Sequence, residues 1–191
     1  MRSLRSKLVL YISLLVAALV GAAGVIEVRK RSTELNAELI ENAQNFSAVS
    51  ASTVLDRTHT LYYQPERFTE LTGSVRQVMT RQRDLTRVQV VDTLFGIVLF
   101  DSREFDEGYY GFKRTARVFD TQDLLAGVQL NKLVVQRTKS SVRVIVPLFT
   151  GKEISDPRDV NRAVAFDFTT AHVEQSLSAM RWRYGLQAIL F

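Results

Sequence analysis

Between Leu8 and Ile26 the chain reads LVLYISLLVAALVGAAGVI, nineteen residues without a charge. As a helix this run is roughly 28 Å long at about 1.5 Å per residue, close to the ~30 Å hydrocarbon core of a bilayer. No other feature constrains the fold as strongly, because a segment this apolar must leave water. Arg2, Arg5 and Lys7 precede it and Arg29, Lys30 and Arg31 follow it, so cations stand at both headgroup levels. Gly21-Ala22-Ala23 offers small residues to a signal peptidase. The run nevertheless exceeds the ~7–15 apolar residues of a usual signal peptide. The expectation is an uncleaved transmembrane helix over 8–28, with residues 1–7 cytoplasmic and the rest of the chain outside the cytoplasm. Equal numbers of basic residues on the two sides leave the positive-inside rule silent on orientation.

Beyond residue 30 about 160 residues remain, enough for one domain with a single core. The formal charge of +5 is concentrated beside the apolar run, leaving the rest close to neutral. Nucleic-acid binding therefore has little electrostatic support. Cysteine is absent, which removes disulfides and thiolate chemistry and is compatible with a bacterial periplasm.

From Ser32 to about Tyr63 there is neither Gly nor Pro, and Leu35, Leu39, Ala43, Phe46 and Val49/Ser50 recur at the spacing of one helix face. This predicts one helix continuing out of the membrane as a stalk and packing on a domain, ended at Gln64-Pro65. A second helix is expected over Glu66–Arg87, with Phe68, Leu71, Val75 and Val78/Met79 inward. The texture then turns to short β-branched runs. Val88–Asp92 and Ile97–Ser102 form one hairpin, and Leu133–Thr138 and Val142–Phe149 a second. Arg162–Phe168 reads as a fifth strand after a loop from Gly151 to Asn161. A long connection, Arg103–Lys132, joins the hairpins and carries a short helix around Thr121–Gly127. From Thr169 the period is helical again, with Val173, Leu177 and Met180 in line and Thr169/Thr170 available as caps. Arg181-Trp182-Arg183-Tyr184 before an apolar run has the chemistry of a membrane interface. Residues 181–191 are expected to begin a second membrane helix, which would make the chain an N-terminal piece of a longer protein; docking of Leu186, Ile189 and Leu190 on the domain is the alternative.

Catalytic motifs are thin. There is no G-x-S-x-G elbow, no phosphate-binding Gly-rich loop and no H-E-x-x-H, and His59 and His172 both read as helix-surface residues. No enzyme activity and no cofactor are expected. Asp101, Asp106 and Glu107 offer oxygen ligands for Ca²⁺ or Mg²⁺, but without EF-hand spacing, and a solvated loop explains them better. Gly108-Tyr109-Tyr110-Gly111 with Arg114 and Arg117 is a stronger candidate. Aromatic walls and planar guanidinium forks can hold a small anionic ligand; a surface loop with its aromatics packed on the sheet is the alternative. Alternation along Val142–Phe149 places Val142, Val144, Val146 and Leu148 on one face. If the long helices cover that face, Arg143 points to the loop-covered side. Asp167 could pair with it there as an ion pair without function, or face solvent.

Val90-Val91-Asp92, Gly96-Ile97-Val98-Leu99 and Asp101-Ser102, then Val144-Ile145-Val146-Pro147-Leu148 and Ala163–Phe168, resemble in order and spacing the extracytoplasmic single-Cache (PAS-like) sensor domains of bacterial receptors. The resemblance covers nearly the whole chain after residue 30. It implies an α+β fold, with a long N-terminal helix on a five-stranded antiparallel PAS-like sheet, flanked by membrane helices and spanning 29–180. It further implies a ligand pocket between the sheet and the connection 103–132, which on this chain nominates Tyr109, Tyr110, Arg114, Arg117 and Arg143. The implied function is a sensor in the bacterial inner membrane, with its main domain periplasmic. It would bind a small anionic metabolite, act as a homodimer through the stalk helices and signal to a histidine kinase, diguanylate cyclase or chemotaxis module. The chain lacks a diagnostic amino-acid-binding motif. A membrane-tethered scaffold without a ligand, and a metal-dependent enzyme using Asp101, Asp106 and Glu107, are the competing expectations.

Overall fold

A computed structural model describes residues 4–61, 68–103, 117–120, 122–129, 132–148 and 162–190. The chain divides into two compact units, Met1–Leu39 with Ala171–Phe191, and Ile40–Thr170.

The first unit holds the start of α1 (Leu4–Leu61) and α4 (Ala171–Leu190). Helix α1 is continuous through the apolar run, and it is long and apolar enough to cross a membrane. Along that run Leu8, Tyr11, Leu15, Leu19 and Ile26 all lie exposed. Such a surface suits lipid, where apolar exposure has no hydrophobic cost. The two helices touch where Gly24 meets Tyr184. A Cβ on Gly24 would fall 2.9 Å from the Tyr184 Cβ, so only glycine allows this approach.

The second unit is built on an antiparallel sheet. Its strands are β1 (Leu85–Asp92), β2 (Ile97–Asp101), β3 (Arg117–Val118), β4 (Val134–Arg137), β5 (Ser141–Leu148) and β6 (Arg162–Thr169), in the spatial order β3-β2-β1-β6-β5-β4. Five of these are the expected strands. The two-residue β3 is an addition, held at the edge by the connection between the hairpins. The first and last long strands lie side by side at the centre, so the sheet closes only when both ends of the domain are present.

Two turns set the hairpins. Asp92 Oδ1 accepts from the amides of Leu94 (2.9 Å) and Phe95 (3.0 Å), and Gly96 completes the turn at φ 62°, where an L side chain would be strained. At the other hairpin the Ser141 amide donates to Thr138 Oγ1 at 3.1 Å, and the Thr138 amide to the Ser141 carbonyl at 2.9 Å.

One face of the sheet packs on helices. Val88, Val90, Val142, Val144, Val164, Phe166 and Phe168 are buried, and Phe46 of α1 meets Phe166 and Phe168 edge-on at 6.4 and 6.2 Å. Alongside Phe46, α1 buries Ala43, Ser47, Ala51 and Val54. Of the expected stripe, Leu39 and Ala43 are buried and Phe46 half-buried; at the Val49/Ser50 position Ser50 is half-buried while Val49 is 78% exposed, and the small Ala43, Ser47 and Ala51 let the helix approach the sheet closely. Helix α2 (Phe68–Arg81) packs on β1 and buries Leu71, Val75 and Val78. It ends six residues earlier than the expected Arg87. Leu85–Arg87 belong instead to β1, because Leu85 pairs with Phe168 and Arg87 with Asp167 of β6. The opposite face carries a second cluster, in which α3 (Gln122–Gln129) lays Leu125 and Val128 over Val91, Ile145, Ala163 and Ala165 beside Phe119.

Candidate functional site

Successive side chains of a strand alternate between faces, so β1 sends Arg87, Gln89 and Val91 to the α3 side, β5 sends Arg143 and Ile145, and β6 sends Ala163, Ala165 and Asp167. Cross-strand register then lines up the polar members. Asp101 lies opposite Gln89, Arg87 opposite Asp167, and Asp167 opposite Arg143. The result is a charged row across β2, β1, β6 and β5, at one end of the apolar cluster under α3.

Arg143 and Asp167 make a two-pronged pair, Nε to Oδ1 at 2.6 Å and Nη2 to Oδ2 at 2.9 Å. Arg143 Nη1 also donates to Asp120 Oδ1 at 2.6 Å, and its guanidinium lies 5.5 Å from the centre of the Phe119 ring. Asp120 follows Phe119, whose amide donates to the Gly96 carbonyl at 2.8 Å, so the β2–β3 edge positions both residues. On the other side of Asp167, Arg87 Nη1 approaches Asp167 Oδ2 at 3.9 Å, while its Nε and Nη2 hold Asp101. Asp101 also accepts from Gln89 Nε2 and from the Arg103 amide, both at 3.1 Å. Ser102 Oγ accepts from the Val88 amide at 2.9 Å. The Asp101-Ser102 pair is thus a structural clamp between β1 and β2.

The hydrogen bonds that Arg143 donates to Asp167 push its guanidinium well above its ordinary value, outweighing burial, with Asp120 adding to the effect. Arg87 is likewise raised, chiefly by its hydrogen bond to Asp101. For Asp101, burial pulls the carboxyl upward, but Arg87, the Arg103 amide and Gln89 together hold it below its ordinary value. Acidic and basic side chains alternate along the row, in the order Asp101, Arg87, Asp167, Arg143 and Asp120.

One group in the row is unsatisfied. Gln89 is 2% exposed, and among the described residues its Oε1 accepts no hydrogen bond while its Nε2 is committed to Asp101. A buried acceptor left bare costs on the order of 1–3 kcal/mol, so it marks a place where a donor belongs.

Of the residues nominated from sequence, Arg143 lies in this row. Arg117 is on β3, paired through its backbone with Val98. Tyr109, Tyr110 and Arg114 lie outside the described residues, as do Asp106 and Glu107. Among the described residues no group of three or more His, Cys, Asp or Glu could hold a metal ion, and Asp101 is occupied by Arg87 and Gln89. Sequence reasoning missed Arg87, Gln89 and Asp120. The first two were legible as polar positions alternating with Val88 and Val90 once β1 is begun at Leu85. Asp120 carries no local signal, since the sheet edge brings it to Arg143.

No protein-family model matches the chain, and no curated protein matches it. Solved structures do. The extracellular domain of vpHK1S-Z8, a protein assigned as a histidine kinase, superposes with a TM-score of 0.51 at 12% identity, over 87% of this chain and 62% of that one. A domain of a protein assigned to the sensory box/GGDEF family, from Vibrio parahaemolyticus, aligns with a TM-score of 0.49 at 12% identity, over 86% and 64%. The chain therefore spans under two thirds of each of these structures. The first likeness bears on the fold alone, a long N-terminal helix with an antiparallel sheet.

Proposed function

We propose that the chain is the sensor portion of a membrane receptor, binding a small metabolite on the charged face of its sheet outside the cytoplasm. The observation that carries this reading is the unpaired Gln89 Oε1, buried in a row of alternating acidic and basic side chains within a fold shared with the extracellular domain of a protein assigned as a histidine kinase. Gln89 would accept a hydrogen bond from the ligand. Tyr109, Tyr110, Arg114 and Arg117, from the connection between the hairpins, would contribute contacts to a small anionic metabolite. Arg143 would anchor that connection through Asp120 and offer the ligand its positive field.

Signalling follows from differential binding. A ligand that favours one placement of the connection over the sheet shifts a two-state equilibrium by its difference in affinity. The sheet passes that bias to α1 through Phe46, Phe166 and Phe168, and β6 runs directly into α4. A small slide or rotation of these helices, across a dimer of α1 stalks, would reach a cytoplasmic output module such as a histidine kinase, diguanylate cyclase or chemotaxis module. In this reading Leu8–Ile26 spans the inner membrane of a bacterium and residues 181–191 enter it a second time.

The test is a thermal-shift screen of the full chain in detergent micelles against carboxylates, amino acids and related metabolites. One chemical class should raise the melting temperature by several degrees, and Gln89→Met should abolish that shift while leaving the unliganded protein folded. A flat screen combined with a tight protein partner would replace the sensor reading with a membrane-tethered scaffold.

A further inference from the structure

The first unit contains a cavity of about 420 Å³ between α1 and α4. Its floor is apolar, made by Gly21, Gly24 and Val25, with Gly185 from the facing helix. Its rim carries Arg29, Arg181 and Tyr184. Arg29 lies one turn beyond Ile26, the last residue of the apolar run, and Arg181 directly precedes Trp182, which is 72% exposed. Both cations therefore stand where hydrocarbon gives way to headgroups, the level that exposed Trp and Tyr favour.

Three glycines line this space, and their roles differ. Gly24 is required by the approach of Tyr184, whereas a Cβ on Gly21 or Gly185 would meet nothing within 4 Å. Each of the latter two costs about 1 kcal/mol of helix stability relative to Ala without any return in helix packing. What they leave is an open apolar groove leading to two guanidinium groups. Among the described residues no carboxylate pairs with Arg29 or Arg181, while the neighbouring Arg31 is paired with Glu34 at 3.1 Å.

We propose that this cavity binds one anionic phospholipid, its phosphate held by Arg29 and Arg181 and an acyl chain lying along Gly21 and Gly185. Guanidinium forks match phosphate oxygens in geometry and charge, and a phosphate at this depth is partly shielded from water. Charge selects this occupant over a second copy of the chain, since a twofold contact through the same face would bring four arginines together without a counter-charge. The proposal rests on the reading of Leu8–Ile26 as a membrane span and not on the sensor reading. A bound lipid would join the two helices that the receptor would move, making their relative position responsive to membrane composition.

The test is native mass spectrometry of the full chain released from micelles containing equimolar phosphatidylglycerol and phosphatidylcholine, with alkaline extraction of membranes run in parallel. The expected result is retention of phosphatidylglycerol over phosphatidylcholine by about tenfold or more, from two cations acting at an anionic surface. The double substitution Arg29→Gln with Arg181→Gln should remove the preference, Arg31→Gln should keep it, and Gly21→Leu should lower retention by filling the groove. Equal retention of the two lipids would overturn the proposal, as would an equal loss in Arg31→Gln. Displacement of the lipid by millimolar inorganic phosphate would reassign the cavity to a free anion, and a lipid-free dimer broken by the arginine substitutions would reassign it to a second copy. Release of the chain by alkaline extraction would instead remove the membrane span itself, a failure separate from the lipid result.

Discussion

Asp167 stands between Arg143 and Arg87, and its place in the row governs how much its loss should matter. Its side chain is 12% exposed, and it supplies both prongs of the pair with Arg143. Replacing it with Ala removes the carboxylate that stands between Arg143 and Arg87 at a buried sheet face, and breaking a buried pair in this way costs about 3–5 kcal/mol. Asp120 binds the same arginine from a side chain that is 56% exposed, where water screens the interaction and supplies alternative partners. Asp120→Ala should cost about 1 kcal/mol or less. Urea unfolding of the full chain in micelles measures both; equal losses would show that the row does not behave as a buried network. Asp101 adds a pH dependence with a definite sign. Its folded carboxyl lies below the ordinary value of 3.8, so in the interval between folded and unfolded values the unfolded chain binds more protons. The stabilisation is complete above about pH 5 and is lost as pH falls through the folded value. Asp101→Asn should therefore lower the thermal midpoint at pH 7 and flatten its decline from pH 5 to pH 3. An unchanged acid limb would place the titrating group elsewhere.

Among the elements, the apolar run and the five strands announce themselves through composition and alternation, but the end of α2 does not. Thr80 to Arg87 can continue a helical period or begin a strand, and local propensity does not decide between them. The decision comes from β6, which pairs with Leu85 and Arg87, while Thr169 donates to the Asp84 carbonyl at 2.8 Å. The charged row is hidden for the same reason: Arg87 shares a face with Asp167 only after that strand boundary is set. Glycines in the first unit make a contrast open to measurement. Gly24→Val meets Tyr184 and should destabilise the α1–α4 contact by about 1–3 kcal/mol, the usual cost of overpacking. Gly21→Ala enters open space and should stabilise the helix by about 0.5–1 kcal/mol. Thermal unfolding in micelles reports both signs, and a loss from Gly21→Ala would contradict the open groove.

At the scale of the whole molecule, the proposed stalk dimer can be tested because the chain has no cysteine, so a single introduced thiol reports one position without background. Val49→Cys lies on an exposed face of α1, and Ser47→Cys two residues away is buried. In oxidised membranes Val49→Cys should give a disulfide-linked dimer and Ser47→Cys should not; monomer from both would remove the α1 face around Val49 from any dimer contact. Sequence by itself determined the apolar helix long enough to cross a membrane, its unbroken continuation, the number of long strands and the face on which Arg143 lies. Each of these follows from local physics, namely apolar length against bilayer thickness, freedom from helix breakers, and the two-residue period of a strand. Tertiary structure alone decided the partners: Asp120 and Asp167 on Arg143, Arg87 on Asp101, the bare oxygen of Gln89, and the meeting of Gly24 with Tyr184. These contacts join residues from 14 to 160 positions apart. No local preference encodes such pairs, because they form only when non-adjacent segments are brought together by burying apolar surface common to all of them.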